Sequence, residues 1–170
     1  MADQAMQMSF ATSVSVSVAV CVLAATLEGI CAGRNVKSFF AQLQFPPYSA
    51  PLWVWSIIGS VYYLIFGFVT YRLLRLGSES PLRATALVLI LLMMAANAAT
   101  NYIIFRARNL RASFIVGCLF PLLDISLFAC VLRLDTVAAE SLVPYLLYRI
   151  YAVFWGYQIW KLNCRQRENS

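Results

Sequence analysis

A chain of 170 residues that is 62% hydrophobic and only 12% charged has too little charge to solvate a globule of its size, since soluble domains carry about 25% charged residues. The net charge of +6 needs no nucleic-acid partner, because positioning in a membrane and contact with lipid headgroups account for it. The sequence contains no histidine, which excludes a Ser-His-Asp triad, a His-ligated haem and a zinc hydrolase site built on His ligands.

Five apolar runs, each near the ~20 residues that cross about 30 Å of hydrocarbon, predict an all-α membrane protein: a five-helix bundle occupying residues 1–170 as one unit. The first run is Ser9 to Gly33. No basic segment or clear cleavage site precedes it, so it reads as a retained helix. Ser13, Ser15 and Ser17 alternate with valines there, and small residues of this kind let helices approach closely. Glu28, near the end of the run, can snorkel or pair with Arg34 and is given no further role. The loop that follows carries Pro46, Pro47 and Pro51, which remove backbone donors and bias it towards extended geometry, as a stiff lid. Pro51 suits the first turn of the next helix.

The remaining spans are Leu52 to Leu74, Arg83 to Phe105, Ser113 to Arg133 and Ser141 to Trp160. A β-barrel is excluded by runs such as Ala86 to Ala96, which are apolar on every face where a barrel strand would alternate. Eight cations (Arg34, Lys37, Arg106, Arg108, Arg111, Lys161, Arg165, Arg167) fall on one side of such a bundle, and four (Arg72, Arg75, Arg83, Arg133) on the other. The positive-inside rule then puts the C-terminus in the cytosol. Five cysteines, without a Cys-x-x-Cys pair, read as packing residues rather than metal ligands.

Two segments are specific enough to point further. Phe39, Phe40, Leu43, Gln44, Pro46, Tyr48, Pro51, Trp53 and Tyr63 resemble the loop and second helix of the TspO/MBR family, the translocator proteins also called tryptophan-rich sensory proteins. The stretch from Pro144-Tyr145 through Tyr148, Ala152 and Gly156 to Trp160-Lys161-Leu-Asn163 is similar to that family's fifth helix. Asn97, Phe105 and Asp124 also sit where family counterparts would be. Departures are plain as well: Gly59 stands where a second tryptophan is common, Tyr148 stands for another, and the third helix reads Ala98-Ala99-Thr100-Asn101-Tyr102.

The resemblance implies a cavity under the first loop, with Trp53, Trp55, Tyr63, Asn97, Tyr148, Arg149 and Ala152 as ligand-binding residues. It also implies tetrapyrroles such as protoporphyrin or haem, and sterols, as ligands to be transported, handled or sensed, with no required cofactor and a homodimeric assembly. Trp53 and Trp55 equally suit an interfacial aromatic belt. Asn97 and Asn101, on one helix face, equally suit interhelical hydrogen bonding. Val153, Tyr157 and Lys161 fit a permissive sterol-contact consensus; Lys161 also suits a snorkelling anchor. An enzymatic alternative, photo-oxidative breakdown of bound porphyrin, depends on tryptophans of which this chain lacks at least one; an interaction scaffold is the other.

Two charges lie deep in spans, where each costs about 2.5–3.5 kcal/mol even on the lenient insertion scale. Asp124 and Arg149, counted in from opposite ends at ~1.5 Å per residue, come nearly level. They are expected to form an ion pair. The alternative is an Arg149 that meets a ligand carboxylate.

Overall fold

The computed structural model describes residues 8–77 and 80–168, with side chains as far as Cys164; Arg165 and Arg167, counted above as cations, have side chains outside the described residues. The elements are α1 (Phe10–Ala32), α2 (Val36–Gln42), α3 (Leu52–Arg75), α4 (Pro81–Asn101, prolonged by a π-helical turn, Tyr102–Arg106), α5 (Leu110–Leu134) and α6 (Thr136–Glu168). No strand occurs among the described residues. All but α2 are long and apolar enough to cross a membrane.

The helix ends follow from local chemistry. Ser9 caps α1 through Thr12 N (3.1 Å), and Gly33, at φ 74°, provides the left-handed residue that ends it. Ser80 and Pro81 start α4, Ser80 Oγ accepting from Leu82 N at 3.2 Å. The last helix begins at Thr136, earlier than the Ser141 expected, because Asp135 caps it: its carboxylate accepts from Ala138 N at 3.1 Å and from Arg72 Nε of α3 at 2.6 Å. A cap satisfies backbone donors that a new helix otherwise leaves open.

Around the bundle, α1 lies between α3 and α4, α5 between α4 and α6, and α6 closes the ring against α3. The end holding the α3–α4 and α5–α6 loops is solid. Phe66, Val69 and Leu73 of α3 meet Ile90 and Met93 of α4, Leu127 and Val131 of α5, and Leu142 of α6, all fully buried. Ser13 and Ser17 of α1, Ala86 of α4, and Ala138 and Ala139 of α6 are buried there too. In lipid, where tails are as apolar as leucine, such close approach through small residues replaces hydrophobic collapse as the source of packing energy.

The opposite end is hollow and roofed. The first loop is only partly extended, contrary to the expectation from its prolines. Before them the chain forms α2, whose Phe39 and Phe40 rest on Phe105 at the end of the π-turn (centroids 6.0 Å in both pairs). At the first two of them, Ser49 N bonds to Pro46 O at 2.9 Å in a tight turn. The lid is tied down to α6: Trp155 Nε1 donates to Ser49 Oγ at 2.8 Å. Asn163 accepts from Gln44 N and donates to Gln44 O, both at 3.0 Å.

Candidate functional site

Beneath this lid lies a cavity of about 380 Å³. Leu52, Trp55, Gly59 and Tyr62 present one face of α3 to it, a spacing of three, four and three residues that keeps side chains on one stripe of a helix. Trp55 is the centre of an aromatic wall. Its indole lies 4.5 Å from that of Trp155, and 6.2 Å from the rings of both Tyr148 and Tyr151 (centroid distances), while its Nε1 donates to Ala50 O at 3.0 Å. Edge and offset contacts of this kind add about 0.5–1.5 kcal/mol per pair beyond burial. They also fix the indole face that a ligand would meet.

Helical geometry sorts the expected residues. Trp55, Asn97, Tyr148, Arg149, Ala152 and Val153 all line the cavity. Trp53 does not: it is 65% exposed on the outside of α3, because two residues along a helix is more than half a turn away from Trp55. Tyr63 does not line it either, since one further residue past Tyr62 rotates it towards α1, where its backbone carbonyl accepts from Cys21 Sγ at 3.5 Å. Tyr62 takes the place assigned to it. Of the supposed sterol strip, Val153 faces the cavity and Tyr157 packs on Phe114 of α5 (5.6 Å). Lys161 is exposed, with its Nζ 5.6 Å from the Tyr157 ring centre.

Glu28 is the residue that sequence reasoning passed over. It neither snorkels nor pairs with Arg34; its carboxylate reaches the cavity and accepts from Asn97 Nδ2 at 2.6 Å and Asn101 Nδ2 at 3.3 Å. The Tyr63 hydroxyl approaches the same carboxylate but completes no hydrogen bond. Both asparagines thus make interhelical bonds and line the cavity at once. The signal available in the sequence was an acid within a membrane span, which by default marks a functional position.

Across the ring, Asp124 and Arg149 meet as expected. Arg149 Nε donates to Asp124 Oδ2 at 3.2 Å, and Tyr145 Oη donates to Asp124 Oδ1 at 3.0 Å. The guanidinium lies 3.9 Å above the Phe120 ring, a cation–π contact strengthened by exclusion of water. The pair does not remove Arg149 from the cavity, which it also lines.

These features, five apolar spans, a roofed aromatic chamber and the lid-to-α6 ties, agree with the comparison by sequence: the model of the TspO/MBR family matches residues 17–161. The chain belongs to this family. No curated protein matches it. As a TspO/MBR member with five membrane-spanning helices, it is a multi-pass integral membrane protein, and the match runs from the first span through the lid and cavity to Lys161. The places where it departs from the family pattern are now spatially defined. Gly59 lies on the cavity wall, and a Cβ added there would meet nothing within 4 Å, so an absent indole is left as open space.

Proposed function

We propose that this protein binds flat, largely apolar ring compounds, tetrapyrroles such as protoporphyrin and haem or sterols, in the cavity beneath the lid, for their transport, handling or sensing. One observation carries the reading: a chamber of about 380 Å³ walled by Trp55, Tyr148 and Trp155, with a few polar groups converging from Glu28, Asn97 and Arg149. Small-molecule sites have this composition and size, about 300–1,000 Å³ with mainly aromatic and apolar walls. Family membership supports the same reading. The protein acts in this proposal as a homodimer in lipid, with its C-terminus on the cytosolic side, where the larger share of Lys and Arg gathers.

Binding is favoured over catalysis because the charged groups that line the chamber are engaged by neighbouring side chains, Glu28 by two amides and Arg149 by Asp124. Titration of the purified protein with protoporphyrin and with cholesterol, followed by tryptophan fluorescence, should show saturable quenching that Trp55→Ala and Asn97→Ala weaken. Absence of saturable binding by either would refute the proposal in favour of a scaffold. The Trp55–Trp155 pair, at 4.5 Å, keeps photo-oxidative breakdown in view as a second reading; a new absorbing product on illumination of the complex would establish it.

A further inference from the structure

The two charges that line the chamber are met differently by their neighbours. Arg149, the one cation among the described lining residues, is answered by Asp124 at 3.2 Å. Glu28, the one acid among them, is answered only by neutral groups, Asn97 Nδ2 at 2.6 Å and Asn101 Nδ2 at 3.3 Å. No Lys or Arg among the described residues pairs with it. The amides hold the carboxylate in one orientation but do not cancel its charge, and an anion inside a membrane span is costly enough to call for a partner. Glu28 is only partly buried, where Asp124 is 3% exposed, so a partner can meet it from the chamber.

Capacity to accept is left over as well. An ionised carboxylate takes about four hydrogen bonds; the amides supply one to each oxygen, and the nearby Tyr63 hydroxyl completes none. The Oδ1 atoms of Asn97 and Asn101 accept nothing from the described residues, and neither is sealed in the packing. Trp55, Tyr148 and Trp155 wall the same chamber, and the faces of aromatic rings attract cations. We infer that the chamber takes flat rings carrying a basic nitrogen, protonated at neutral pH, with the ammonium on Glu28 and its two asparagines and the ring against the indoles. A primary ammonium has three donors and no acceptor, which suits a site made of carboxylate and amide oxygens. An alcohol brings one donor and no charge, and a ligand carboxylate would face Glu28 as a like charge.

This inference rests on the ring-binding function proposed above and names a ligand class for it. The test gives one ring three head groups: 1-pyrenemethylamine, 1-pyrenemethanol and 1-pyrenecarboxylic acid, titrated at pH 7 into the purified full-length protein in nonionic detergent and followed by tryptophan-to-pyrene energy transfer. The amine should bind about tenfold or more tightly than the alcohol, the scale of a charge-assisted hydrogen bond, and the acid most weakly. The background field favours the opposite order, since the chain carries a net charge of +6 and Arg34, Lys37, Arg106, Arg108 and Arg111 are exposed in the loops at the lid end. Glu28→Gln, which keeps the shape and an acceptor but loses the charge, should bring the amine-to-alcohol ratio close to one; comparing the two proteins in the same micelles cancels differences in partition. If that variant does not fold, the order in the wild type decides alone. A wild-type ratio near one, an acid that binds most tightly, or a preference that survives Glu28→Gln would overturn this inference, while saturable binding of protoporphyrin or cholesterol would leave ring binding intact. Failure of those two and of all three pyrenes to bind would overturn both.

Discussion

Replacement of Asp124 by alanine gives the sharpest measure of how the bundle holds charge inside a membrane. Asp124 is 3% exposed and Arg149 14%, so removing the carboxylate strands a guanidinium, and with it the Tyr145 hydroxyl, away from water. Breaking one partner of a buried pair costs about 3–5 kcal/mol. At roughly 2–4 °C per kcal/mol for a chain of this size, the thermal midpoint should fall by about 6–20 °C. Asp124→Asn, which keeps an acceptor but loses the charge, should fall between this variant and the wild type. The double variant Asp124→Leu with Arg149→Met should recover most of the loss, since apolar replacement of a whole buried pair is often neutral or stabilising. Thermal unfolding in detergent, followed by tryptophan fluorescence, completes the cycle. A single Asp124→Ala variant that melts with the wild type, or a double variant whose loss equals the sum of the singles, would refute the coupling.

Other expectations follow from individual contacts. Asp135→Ala removes both a helix cap and the Arg72 partner, so stability should drop by about 0.5–2 kcal/mol for the cap, with at most about 1 more for a partly exposed ion pair. The Arg72 guanidinium beside it holds the Asp135 carboxyl below the usual carboxylate range. Its contribution is thus complete above about pH 4 and lost as pH falls through the depressed value; Asp135→Asn should flatten the acid limb of a melting-temperature profile. Asn163→Ala cuts the lid's two bonds at Gln44 and should speed ligand release in stopped-flow experiments while leaving the midpoint nearly unchanged. Gly59→Trp places an indole in open space on the cavity wall, and should weaken ligand binding about tenfold or more, as a lost apolar contact surface of that size implies.

Some of this was legible in the residues and some was not, and the division has a physical cause. The spans follow from hydropathy because lipid leaves a backbone no other partner than itself. Asp124 and Arg149 could be paired by counting depth, since helices convert residue number into distance. The failures of placement, Trp53 for its outward face and Tyr63 for Tyr62, come from a rotation of about 100° per residue that no span boundary fixes. Glu28 needed knowledge of which helices are neighbours, for its partners Asn97 and Asn101 lie 69 and 73 positions away in sequence. The lid helix α2, at 7 residues, is too short to be stable by propensity. It exists because Phe39 and Phe40 find Phe105, a contact between segments that no local pattern announces.

The hollow end raises a question of energy that the polar lining answers. At ~24 cal/mol per Å³, the penalty measured for empty cavities, a dry void of about 380 Å³ would cost roughly 9 kcal/mol, close to the whole stability of a typical domain. Glu28, Asn97 and Asn101 instead give the chamber hydrogen-bonding groups that can hold water, which apolar cavities of this kind cannot. A ligand then exchanges with solvent and not with vacuum. In the proposed function its affinity comes from stacking on Trp55 and its neighbours together with hydrogen bonds to these polar groups, so a ring that only fills volume should bind more weakly than one that also reaches them.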